Sequence, residues 1–126
     1  MKIRNIELLS ARAGYNELLS KELPTKTSLA LVAQSRLVNT ALENVSEVQK
    51  KVIKDYELDN LGKTKDPGRQ LDADTAWMEL LEAEVDVPTE LITISGMFRG
   101  QDIGIKPATI VQLEKLVKIE PAKDGV

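Results

Sequence analysis

The chain contains no cysteine and no histidine. Without cysteine there is no disulfide framework and no thiolate nucleophile. Without either residue, zinc centres built on thiolate and imidazole are excluded. So are Ser-His-Asp and Cys-His catalysis and imidazole acid–base chemistry near neutral pH. Aromatics are scarce: Tyr15, Tyr56, Trp77 and Phe98 are 3% of the 126 residues, against 42% hydrophobic residues in all. A core drawn from that pool is aliphatic, which favours packed helices over a β-sandwich. Long apolar runs are missing as well. No segment approaches the roughly 20 apolar residues of a membrane span, and the opening MKIRNIELLSARAG turns polar too soon for a secretory signal. The expectation is one mainly helical domain, made in a reducing cytoplasm, with no membrane contact.

Net charge is −3, unevenly placed. Residues 1–70 hold 12 Lys/Arg against 9 Asp/Glu, or +3, and residues 71–126 hold 5 against 11, or −6. From Leu71 to Phe98 there are seven acidic residues and no basic one. A nucleic-acid reader shows a concentrated basic face, and +3 over half a chain is too little, so no nucleic-acid partner is expected. An ordinary solvated surface accounts for the split. Head-to-tail self-association, acidic part on basic part, is the sharper alternative.

One triplet hints at chemistry. Gly62-Lys63-Thr64 has the ending of a phosphate-binding loop, but that pattern needs a glycine five residues earlier, where Glu57 stands. A phosphate loop also leads from a strand into the start of a helix. Here Gly62 follows a long helical pattern and reads as that helix's C-cap, with Asp66-Pro67-Gly68 as a turn. Nucleotides are not expected to bind at residues 61–70.

Along the chain, residues 3–21 carry Leu8, Ala11, Tyr15, Leu18 and Leu19, with Ile6, Leu9 and Ala13, at helical spacing. Gly14 interrupts that helix at a cost of about 1 kcal/mol relative to Ala, which points to close approach of another helix. Pro24 ends the segment, and Thr25 or Thr27 is placed to cap the next. The second helix is the strongest pattern. Leu31, Val38, Leu42, Val45, Val52 and Tyr56 form one stripe, widened by Ala33, Leu37, Ala41 and Val48, with no Gly or Pro from Thr25 to Leu61. About 30 residues at about 1.5 Å each outrun the first helix by roughly 18 Å.

A third helix is signalled by Asp72 or Asp74 as cap and by Ala73, Trp77, Leu80 and Leu81, with Trp77 as a core anchor against the second helix. Beyond Val85 the period shortens, predicting extended segments around Ile92 and Ile94 and a hairpin through Gly96, Gly100 and Gly104. Pro107 then opens a short helix burying Ile110, Leu113, Leu116 and Val117.

The predicted architecture is mainly α: a long antiparallel helical hairpin, a third helix, a short β-hairpin and a short C-terminal helix. It is one domain, with the hairpin over 1–60, a loop over 61–70, an α+β part over 71–119 and a loose tail over 120–126. Val48, Val52, Ile53 and Tyr56 on the overhang, with Ile92, Ile94, Met97 and Phe98, are the candidate interface. Glu79, Glu82 and Asp86 have spacing open to a hard cation, but any exposed helical face supplies such spacing. No catalytic residue, metal site or cofactor is expected.

The succession of elements resembles a family of small uncharacterised phage and prophage proteins over about residues 5–118. Leu23, Pro24, Lys26 and Ser28 match its Leu-Pro-x-Lys-x-Ser segment, and Lys54 and Tyr56 its Lys-x-Tyr. Leu80, Leu81, Glu84, Val85 and Pro88 follow its Leu-Leu-x-x-Glu-Val-x-x-Pro stretch. Pro107, Ala108, Leu113 and Glu114 match its closing Pro-Ala-x-x-x-x-Leu-Glu. This chain has fewer charges on the second helix and a longer hairpin around Gly96–Gly104.

The resemblance implies a non-enzymatic phage protein of the head–tail or tail module, a small virion component or assembly factor. Its partners would be copies of itself or larger phage structural proteins, in the host cytoplasm during assembly or in the virion. The alternative is a phage-encoded inhibitor of a host defence protein, or one that binds a small signalling molecule.

Overall fold

The computed structural model describes residues 1–120; the tail expected to be loose lies, from residue 121 on, outside the described residues. The chain is mainly α. Strand β1 (Lys2–Arg4) leads directly into helix α1 (Asn5–Ser20), and α2 (Thr25–Asp55) follows after a four-residue turn. A short 3-10 helix at Pro67–Arg69 opens α3 (Gln70–Glu82), and β2 (Glu84–Asp86) comes next. Strands β3 (Ile92–Ser95), β4 (Met97–Phe98) and β5 (Gln101–Asp102), helix α4 (Pro107–Leu113) and β6 (Val117–Glu120) complete it.

The hairpin of α1 and α2 forms as expected, with 16 and 31 residues. Its apolar stripes meet: Leu8, Ala11, Tyr15 and Leu18 of α1, and Leu31, Val38, Leu42 and Val45 of α2, are all buried in one core. The same core takes in Leu113, Leu116 and Val117 from the C-terminal part, together with Ile3, Val87 and Ile94. Helix α1 therefore lies at the centre, and its most extensive packing is against α4. Gly14 explains the closeness. A Cβ there would stand 2.7 Å from Cγ of the fully buried Leu113.

Among the described residues, six strands make three two-stranded sheets. β4 and β5 are the expected hairpin, turned by Arg99 and Gly100, both at positive φ (53° and 77°), the geometry of a two-residue type I′ turn. The other two sheets join parts distant in sequence. β1 pairs antiparallel with β2, setting Ile3 opposite Val85. β3 pairs in parallel with β6, setting Ile92 opposite Val117 and Ile94 opposite Ile119.

Several local expectations are corrected. The final element is a strand: α4 stops at Leu113, and Val117 and Lys118, read as helix, pair with β3 together with Ile119 and with Glu120, which was expected in the loose tail. Two β-branched residues, Val117 and Ile119, alternate with exposed Lys118 and Glu120, a pattern that gains more from a ladder than from prolonging a short helix. Ile110 is 39% exposed, and Thr109 is buried in its stead. Neither Thr25 nor Thr27 caps α2, whose N-cap is Pro24, and neither Asp72 nor Asp74 caps α3, which begins earlier after Arg69.

Gly62 is not the C-cap of α2 either. The helix ends at Tyr56, and Glu57 takes the left-handed conformation at φ 51°. The Leu58 N–H then donates to the Ile53 carbonyl (2.9 Å) and the Glu57 N–H to Lys54 (3.3 Å). This is a Schellman motif with Glu where Gly is usual. Gly62 closes a separate turn, donating to the Asp59 carbonyl at 3.0 Å.

Candidate functional site

At about 1.5 Å per residue, α1 is about 24 Å long and α2 about 46 Å, so α2 runs on for about 22 Å beyond its partner. Helix α3 covers that extension in part. Between the end of α2, the loop after it and α3 lies a cleft of about 550 Å³. Its walls are Ile53 from α2, Leu58 and Leu61 from the loop, and Ala73, Trp77 and Met78 from α3, with Asp59 and Asp74 among the polar groups. A volume of this size is that of a ligand or side-chain pocket.

Local chemistry builds each wall. The Schellman motif turns the chain so that Leu58 and Ile53, the two positions that meet in such caps, both line the cleft. Asp59 holds the loop: its carboxylate accepts from the N–H of Leu61 (2.8 Å) and of Lys63 (3.0 Å), while its own N–H donates to the Lys63 carbonyl. Those two donors, Lys63 first, hold the Asp59 carboxyl below its usual range. The loop closes onto α3 through Gln70, which accepts from Thr64 N–H (2.9 Å) and donates to the Gly62 carbonyl (3.0 Å). Arg69 lies over the Tyr56 ring at 4.8 Å and donates to the Asp55 carbonyl at 3.0 Å, tying the start of α3 to the end of α2.

The mouth of the cleft is apolar. Leu61 is 84% exposed, Met78 53% and Ile53 42%. Leu71 is exposed too, and at seven residues before Met78 it lies on the same ridge of α3. Trp77, expected as a core anchor, is half-buried in the cleft wall and lies outside the core cluster. The face of α3 that reaches the core is carried by the small Ala73 and by Leu80.

Of the eight candidate interface residues, Val52 and Ile94 are buried within the chain. Tyr56 is half-buried beneath Arg69, and Ile92, Met97 and Phe98 are half-buried in the sheets. Val48 and Ile53 remain exposed, and Ile53 alone of the eight lines the cleft. Leu58, Leu61 and Met78 were missed. Their signal was present: two leucines in an otherwise polar loop, and a methionine beside the buried face of α3.

Asp86 lies on β2 rather than α3, so the Glu79, Glu82 and Asp86 spacing is not one helical ladder. Among the described residues no group of three or more carboxylates converges as a cation site. No helix among them is long and apolar enough to cross a membrane. Gly62-Lys63-Thr64 stands in the loop after a helix, with no strand before it.

Fold and cleft together define a small mainly α protein with satellite strands and an apolar recess at its overhanging end. No protein-family model matches the chain, and no curated protein or solved structure matches it either.

Proposed function

We propose that the chain is a non-enzymatic phage protein, a small virion component or assembly factor of the head–tail or tail module, acting through protein–protein contacts. The phage assignment rests on the resemblance over residues 5–118. The mode of action rests on one observation: the overhang of α2 ends in an apolar recess whose rim leaves Ile53, Leu61 and Met78 in solvent. Clustered exposed apolar groups of this kind mark interfaces. The partner is a copy of the chain or a larger phage structural protein, met in the host cytoplasm or retained in the virion. Mass spectrometry of purified phage particles tests the reading, with the chain expected at a stoichiometry comparable to other minor structural proteins. Its absence both from mature particles and from isolated assembly intermediates refutes it.

The inhibitor reading draws on the same recess, because about 550 Å³ beside a tryptophan also suits a host side chain or a small signalling molecule. Recovery of the chain in complex with a host defence protein, and never with particles, is the outcome that would favour it.

A further inference from the structure

The two helices that wall the cleft carry opposite charge, around a lining whose own charged groups are Asp59 and Asp74. On one flank, the last six residues of α2 hold Lys50, Lys51 and Lys54 against a single Asp55, and all three lysines are exposed. Arg69, anchored over Tyr56, adds a charge on that side. On the other flank, α3 carries Asp72, Asp74, Glu79 and Glu82, all exposed, and no basic residue. Within the chain these two charge sets barely engage each other. The α2 end makes only the weak Lys50–Glu47 pair at 3.9 Å, and no residue of α3 forms an ion pair among the described residues. Between the flanks lie the exposed apolar groups Ile53, Leu61 and Met78.

A surface that is positive on one side of an apolar centre and negative on the other is complementary to itself under a two-fold rotation. The rotation sets the α2 end of one copy on the α3 of the next, twice, and lays the two apolar centres together. We infer that the cleft face is an isologous homodimer interface, in which the lysines at the end of α2 meet the carboxylates of the partner's α3 around an apolar centre formed by Ile53, Leu61 and Met78. This rests on the proposed function for its setting and deepens it by naming the partner as a second copy. It also replaces head-to-tail association between chain halves by a closed, two-fold contact within one face. A foreign partner has no comparable support, because its charge would have to match both flanks at once, whereas a second copy does so by symmetry.

Sedimentation of the full chain over a dilution series tests the inference. A reversible monomer–dimer equilibrium is expected, stopping at the dimer and weakening as salt rises through the Debye range. Met78→Glu should raise the dimer Kd at least tenfold while leaving the circular dichroism spectrum unchanged.

Two charge variants test the symmetry. One chain carries Lys50→Glu, Lys51→Glu and Lys54→Glu, making both flanks acidic. The other carries Asp72→Lys, Asp74→Lys and Glu79→Lys, making both flanks basic. Each alone is expected to stay monomeric, and their mixture to form a one-to-one dimer. A wild-type chain that remains monomeric at millimolar concentration overturns the inference. So does a mixture that does not pair, or an assembly that grows beyond the dimer. If a charge variant fails to fold, the wild-type dilution series and Met78→Glu decide by themselves. A monomer found in phage particles refutes the dimer and leaves the proposed function intact; a dimer absent from every particle and assembly intermediate does the reverse.

Discussion

Replacing Gln34 by leucine separates two views of how the core is held. Gln34 lies in the buried stripe of α2, three residues after Leu31 and four before Val38, and is 2% exposed. If the stripe were only apolar packing, burying a leucine there would stabilise by about 1.5–3 kcal/mol. The structure gives the amide specific work. Its oxygen accepts from the Tyr15 hydroxyl at 2.5 Å, and its nitrogen donates to the carbonyls of Leu116 (3.0 Å) and Glu90 (3.1 Å). One side chain thereby joins α1, α2, the segment before β3 and the start of β6.

Gln34→Leu orphans the Tyr15 hydroxyl in the interior and removes both amide donations, although the Leu116 carbonyl keeps the Ile92 N–H as a donor at 3.0 Å. At about 1–3 kcal/mol for that unsatisfied group and about 0.5–1.5 kcal/mol for each of the two amide donations lost, the loss is about 2–6 kcal/mol. Tyr15 is itself 3% exposed, and burial pushes its hydroxyl well above the ordinary tyrosine range, so it stays a neutral donor without an acceptor. Adding Tyr15→Phe removes that orphan, so the double variant should recover about 1–3 kcal/mol relative to the sum of the singles. Urea unfolding followed by circular dichroism measures all four corners of the cycle. A stabilised Gln34→Leu, or a cycle additive within about 0.5 kcal/mol, refutes the hub.

Gly14→Ala should destabilise by up to about 2 kcal/mol, overpacking against Leu113 outweighing about 1 kcal/mol of helix propensity. In a Leu113→Ala background the same change should turn stabilising, and thermal melts read the sign. Glu57→Gly should stabilise by about 1 kcal/mol by relieving the left-handed residue of the Schellman motif, seen as a raised urea midpoint at unchanged slope. Glu17 of α1 caps α4 from outside, accepting from the Thr109 hydroxyl and the Lys106 N–H, and these donors, Thr109 first, lower its pKa from 4.5. A depressed carboxyl stabilises the fold above its unfolded pKa and loses that contribution as pH falls through the folded value. Wild type should therefore lose melting temperature below about pH 4.5 more steeply than Glu17→Gln, and parallel profiles would show the cap to be idle.

The helical part was legible because it is written locally. The stripe from Leu31 to Val52 repeats at the helical period without Gly or Pro, and no rearrangement elsewhere moves those side chains to another face. The break at Gly14 marked a close approach without naming the partner, since Leu113 lies 99 positions away along the chain. Caps were less legible. Thr25, Asp72 and Gly62 have suitable chemistry, but α2 starts from Pro24, α3 starts earlier from Arg69, and α2 stops earlier at the left-handed Glu57.

The amino-acid sequence by itself determined the mainly α class, the 31-residue second helix and its overhang, and the absence of thiol and imidazole chemistry. Periodicity and composition suffice for these, since both act between neighbours or on the chain as a whole. Tertiary structure alone decided that Lys2–Arg4 pairs with Glu84–Asp86 and that Val117–Glu120 leaves the helix to pair with Ile92–Ser95. It also decided that Trp77 walls a cleft instead of filling the core. A three- or four-residue strand has too short a pattern to announce itself, and its ladder becomes favourable only once distant segments are already held side by side.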